Sequence, residues 1–151
     1  MKIPEPVFIL INPVIRLLLT SPFHGLLSSS VLLIRFKGRN TGREFVTPVR
    51  YIRHDGAFHC FTGQSNQWWR NMRGGARVVL VVQGREVPCL MAATSGQPSI
   101  VKPALARLLA AFPQDAPYYD ITAERGGTIT DKALEAAAGR TVLVEAVPVS
   151  A

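Results

Sequence analysis

Short apolar, β-rich runs recur along this chain between clusters of turn residues, and these runs read as short strands. Val31 to Phe36, Phe45 to Arg53, Ala57 to Thr62, Val78 to Val82, Glu86 to Ala93 and Thr141 to Val147 each read as a strand. Asp55-Gly56 is a strong hairpin signal, and Gln83-Gly84-Arg85 joins the next strand pair. Helical spacing appears at Ser99 to Ala111, with Pro103 in its first turn, and at Thr130 to Ala138, where Thr130 or Asp131 caps the start and Gly139 ends it. Ser65 or Asn66 is placed to cap a short helix through Trp68, Trp69 and Met72, which Gly74-Gly75 closes. Pro48 marks its strand as an edge or a bulge. Pro113 to Tyr119 reads as irregular. Tight turns between successive strands favour antiparallel pairing, and six such strands with few helices predict a small closed or split barrel. The expectation is an α+β, mainly β fold: a six-stranded antiparallel split β-barrel over residues 31–151, with a few peripheral helices and an N-terminal helical segment over residues 1–30, in one domain.

That segment is the most apolar part of the chain. Pro6 to Thr20 reads as a helix in which Asn12, Arg16 and Thr20 form one narrow polar stripe. Such a helix suits burial against the domain or peripheral contact with a membrane surface. Val7 to Leu19 is too short and too interrupted to span a bilayer.

With 151 residues, 48% of them apolar, the chain suffices for one substantial core. The formal charge of +7 makes an anionic partner the natural expectation. Cys60 and Cys89 lie inside apolar strands without metal-ligand spacing, so both read as core thiols of a reducing compartment, here the cytoplasm, and no metal site is expected. A nucleic-acid partner is disfavoured, because the two tryptophans sit on an expected helix and not on an exposed strand face. His24, His54 and His59 are scattered, and phosphate-loop, dinucleotide and nucleophile-elbow motifs are absent from the sequence. Side chains that announce neither acid–base nor nucleophilic catalysis point to a borrowed cofactor.

Three constellations carry candidate chemistry. Lys37-Gly38-Arg39-Asn40-Thr41-Gly42-Arg43 is a tight basic turn between two strands, suited to a phosphate or carboxylate. Thr62-Gly63-Gln64-Ser65-Asn66 is a polar loop leading to Trp68 and Asn71, where one tryptophan can line a flat ring or plug the core. Pro117-Tyr118-Tyr119-Asp120 offers a phenol as hydrogen-bond donor, at most one of the two rings being required by the core.

Together these residues resemble the deazaflavin-dependent nitroreductases, split-β-barrel oxidoreductases that use coenzyme F420. The family's G-R-K-[ST]-G turn and following proline read here as Gly38-Arg39-Asn40-Thr41-Gly42 and Pro48. Its P-x-W-x-x-N-[LM] reads as Asn66-Gln67-Trp68-Trp69-Arg70-Asn71-Met72. Asn40 stands where the family has lysine, Phe45 where it has a basic residue and Asn66 where it has proline; Arg43 is placed to compensate for the lost cations. The resemblance implies F420, or alternatively FMN, held by Arg39, Thr41, Gly42, Arg43, Pro48, Ser65, Asn66 and Trp68. It implies Tyr119 as the catalytic proton or hydrogen-bond donor, with Tyr118 the lesser candidate. It implies hydride transfer to a small-molecule acceptor such as a quinone, a nitro compound or an activated double bond. A non-catalytic barrel holding lipid or haem is the competing class. A homodimer, and peripheral contact with the inner face of the cell membrane, are the remaining expectations about partners.

Overall fold

The computed structural model describes residues 30–38, 42–122 and 128–149. The expected N-terminal helix therefore lies outside the described residues. All six expected strands form: β1 (Val31–Lys37), β2 (Glu44–His54), β3 (Ala57–Gly63), β4 (Ala76–Val82), β5 (Arg85–Thr94) and β6 (Thr141–Pro148). They close into an antiparallel barrel in the order β1-β2-β3-β6-β5-β4. Among the described residues two α-helices accompany it, α1 (Pro98–Ala111) and α2 (Asp131–Arg140), with short 3-10 helices at Trp68–Met72 and Pro113–Tyr119.

Period-two alternation sorts the strand residues into two main cores and a small third cluster of Leu33, Val46 and Val81. Leu32, Ile34, Tyr51, Phe58, Cys60, Leu80, Met91, Val142 and Val144 point inward and fill the barrel with Trp68, Trp69 and Met72. Phe61 and Leu143 alternate outward and pack under Leu105 and Leu108 of α1, Ala137 and Ala138 of α2, and Tyr119. The barrel thus has a second hydrophobic layer on the β3–β6 face. Thr130 caps α2 as expected, its Oγ1 accepting from the Ala133 N–H at 3.1 Å. Two local expectations are corrected. The residue before the Trp68 helix is Gln67, which makes no side-chain capping bond, while Asn66 turns its side chain back to Thr62. Gly139 does not end α2, which runs through Arg140 straight into β6.

The pairing of β2 decides where a cleft can open. β2 pairs with β1 along Glu44 to Arg50, but with β3 only from Tyr51 to His54. Beyond the Tyr51–Cys60 pair the two strands part, and Phe61 to Gly63 continue alongside β6 alone. Tyr51 donates its N–H to the Ser30 carbonyl at 3.1 Å, and Gly38 donates to the Arg43 carbonyl at 2.8 Å. These two bonds fix which residues of β2 turn their backbone toward β1. Pro48 belongs to the alternate set, so its nitrogen faces the gap, where no ladder donor is needed. Pro48 is an edge proline, as expected, and the edge borders the opening between β2 and β3.

Candidate functional site

A cleft of about 240 Å³ occupies this opening. Pro48, Val49 and Arg50 form its β2 wall, and Phe61 and Thr62 its β3 wall. Asn66 and Trp68 close one end, and Asp115, Tyr118 and Tyr119 approach from the Pro113–Tyr119 helix.

Each group is held by neighbours that explain its place. Asn66 donates its side-chain N–H to Thr62 Oγ1 at 2.7 Å, which folds the polar loop back onto the end of β3. Gln64 ties the same loop to Ser95 Oγ and to the Gly139 carbonyl, both at 3.2 Å. Asn71 donates to the Trp68 carbonyl at 2.9 Å, giving the tryptophan–asparagine spacing a structural purpose: it closes the turn that aims Trp68. Trp68 is both core plug and cleft wall, packing 6.3 Å from Phe36 between ring centroids while lining the cleft. Trp69 is buried elsewhere in the core, with the Arg70 and Arg73 guanidiniums 5.0 and 4.9 Å from its ring.

The tyrosines are fixed from both sides. Tyr119 is 9% exposed, edge-on to Phe61 at 6.5 Å and to Tyr118 at 5.1 Å. Arg140 Nη2 donates to the Tyr119 carbonyl at 2.9 Å, and Asp120 ends the segment in the left-handed region at φ 58°. Burial, reinforced by Tyr118 and Asp115, pushes the Tyr119 phenol well above its ordinary range. Burial also raises the Tyr118 phenol, again with Asp115 adding to it. Both phenols stay protonated near neutrality, so they can donate a hydrogen bond there but cannot serve as bases. Arg50 links β2 to the tyrosine segment, its Nε 2.5 Å from Asp115 Oδ2 and its guanidinium 4.3 Å above the Phe112 ring.

Of the residues expected from the sequence, Pro48, Asn66, Trp68 and Tyr119 meet at this cleft, with Tyr118 beside them. Ser65 is exposed in the loop and is not part of the cleft lining. Arg39 and Thr41 lie outside the described residues. Gly42 and Arg43 are exposed at the β1–β2 turn, where Gly42 takes φ 68° and donates to the Gly38 carbonyl at 2.9 Å. The first four residue steps of β2, about 14 Å of extended chain, separate this turn from Pro48. Sequence reasoning missed Arg50, Phe61 and Asp115. Arg50 had a signal, since it shares Pro48's strand face by alternation. Asp115 had none, because its partner comes from a distant strand.

Among the described residues, no His, Cys, Asp and Glu cluster could hold a metal ion. No described helix is long and apolar enough to cross a membrane.

No known family description matches the chain, and neither does any curated protein. Solved structures do match in fold. One is a protein from Listeria innocua assigned as a pyridoxamine 5′-phosphate oxidase, at 9% identity over 93% of this chain and 94% of that one, TM-score 0.53. A FAD-binding protein from Mesorhizobium loti matches at 17% identity over 84% and 87%, TM-score 0.51. An F420-H2-dependent reductase matches at 14% identity over 77% and 93%, TM-score 0.50. At these identities the likeness establishes the split-barrel fold, and the last of these neighbours carries the coenzyme dependence of the family that the two motifs resemble.

Proposed function

We propose that this protein is an oxidoreductase that uses the reduced deazaflavin coenzyme F420 to reduce a small, flat acceptor such as a quinone, a nitro compound or an activated double bond. One observation carries the reading. Pro48, Asn66, Trp68, Tyr118 and Tyr119, singled out at separate places in the sequence, line a single cleft where the barrel splits. Its walls are suited to a flat ring with polar edges: a proline without an N–H, aromatic faces and edges, and polar groups from Arg50, Thr62, Asn66 and Asp115. The coenzyme supplies the hydride. Trp68 and Pro48 hold the ring, Asn66 and Thr62 offer polar contacts at its edge, and Ser65 is the outermost loop contact. Arg39, Thr41, Gly42 and Arg43 hold the acidic tail at the β1–β2 turn. Tyr119, protonated and buried, donates to the acceptor oxygen and is the catalytic residue, with Tyr118 lining the entrance.

FMN in the same cleft is the second reading, favoured by Asn40 and Phe45, which leave the turn fewer cations for a long acidic tail. Titration of the protein with purified F420, followed by absorbance or fluorescence, separates the readings. Saturable binding that weakens in Arg39→Ala supports the deazaflavin reading. No saturation at micromolar protein overturns it, and a yellow protein as purified points to flavin. Homodimerisation, and a membrane-surface role for residues 1–22, belong to the same proposal. Sedimentation and vesicle co-sedimentation of the chain with and without those residues test them.

A further inference from the structure

Among the described residues, the cleft is lined by one cation and one anion, and they are spent on each other. Arg50 and Asp115 both line it, and their ion pair closes at 2.5 Å. Their side chains are only 31% and 19% exposed. The remaining lining residues are uncharged. A neutralised pair in a cleft wall has little attraction for a charged ligand, whereas either partner alone would impose its own sign. The fold reinforces the pair: Arg50 also lies over Phe112, at the start of the helix that holds Asp115, so the guanidinium is braced at two points of one segment. Both charges act on the Tyr119 phenol, Asp115 raising its proton affinity and Arg50 lowering it, which places them within electrostatic reach of the group assigned to the acceptor.

We infer that Asp115 is a specificity-determining residue: by neutralising Arg50 it makes the cleft select uncharged acceptors, and removing its charge turns the site toward acceptors bearing a carboxylate or sulfonate. This rests on the acceptor reading of the cleft.

The test compares 4-nitrotoluene with 4-nitrobenzoate, two ligands of similar shape that differ by one charge. Binding is read by quenching of tryptophan fluorescence, since Trp68 lines the cleft, and turnover is read with the reduced coenzyme. The wild type favours 4-nitrotoluene. Asp115→Asn shifts the affinity ratio toward 4-nitrobenzoate by roughly tenfold or more, and the shift shrinks as salt rises. Arg50→Gln, which leaves the carboxylate alone, shifts the ratio the opposite way. The double variant, with neither charge, returns close to the wild-type ratio, which a merely structural role for the pair would not produce. Thermal melts of each variant confirm that it is folded. An unchanged ratio in folded Asp115→Asn, or a double variant that keeps the Asp115→Asn ratio, overturns the inference, as does the absence of quenching by either compound in any variant. If quenching follows the expected pattern but coenzyme titration fails, the deazaflavin reading falls and this inference stands. If the coenzyme binds and the ratio does not move, this inference alone falls.

Discussion

Replacing Tyr119 by phenylalanine and, separately, by alanine divides two roles that the structure loads onto one residue. The ring is core: it is 91% removed from solvent by the 9% exposure that remains, and it packs edge-on against Phe61 and Tyr118. Tyr119→Phe keeps those ring contacts and removes only the hydroxyl, so stability should change by less than about 1 kcal/mol. Tyr119→Ala removes the whole ring from beneath α1 and should cost about 3–5 kcal/mol. At the size of this chain each kcal/mol lowers the melting temperature by about 2–4 °C, so the alanine variant should melt about 6–20 °C lower. The hydroxyl is the catalytic part. A lost donor at a developing oxyanion costs roughly 10²-fold or more in turnover, and Tyr119→Phe should show that loss with coenzyme affinity unchanged. Urea denaturation and single-turnover reduction of a nitroaromatic measure the two effects on the same preparations. A fully active Tyr119→Phe would remove the hydroxyl from the mechanism and pass the donor role to Tyr118→Phe for the same assay. An alanine variant as stable as the wild type would refute the packing argument.

Further outcomes follow from buried titratable groups and from the turn. His59 is 5% exposed, and burial lowers its proton affinity below the ordinary value, with Arg107 and His54 adding to the effect while Glu145, 3.4 Å away, and Asp55 oppose it. Because the folded value lies below the unfolded one, its contribution to stability is present above about pH 6.5 and is lost as the pH falls through the folded value. Denaturation midpoints should therefore decline on acidification, with a shallower decline in His59→Gln. Both thiols are buried, the Cys89 thiol being pushed up to about 11 and the Cys60 thiol higher still, chiefly by desolvation. A thiol reagent at pH 8 should label neither until denaturant unfolds the barrel, and fast labelling of the native protein would contradict the burial. Gly42→Ala meets no atom within 4 Å of the added Cβ, so its cost is the φ of 68° alone, about 1 kcal/mol. A lowered melting temperature with weakened coenzyme affinity is expected, and an unchanged melting temperature would show that the turn relaxes to another conformation.

The strands were legible because an apolar, β-rich run bounded by turn residues is a local property, but which face of β1 enters the barrel was not, since Leu33 is as buried on one side as Leu32 and Ile34 are on the other. Turn chemistry was equally local, so Asp55-Gly56 and Thr130 were found by residue type. Caps were less secure: Gln67, and neither Ser65 nor Asn66, precedes the 3-10 helix at Trp68, and Asn66 bonds back to Thr62 instead. The two motifs around Gly42 and Trp68 also announced candidate cofactor residues without any coordinates.

What the sequence alone settled is the set of strands, the barrel class and most of the residue types at the cleft, since these depend on period and composition. Only the tertiary structure decided that Pro48 faces the split between β2 and β3, that Trp68 and Tyr119 are core and cleft wall at once, and that Arg50 is neutralised by Asp115. The physical reason is that register and charge pairing arise between strands and helices distant in the chain. A single residue's shift in the β1–β2 pairing would turn Pro48 and Arg50 to the other side, and the turn bond from Gly38 to Arg43 that sets this register shows only in the folded chain.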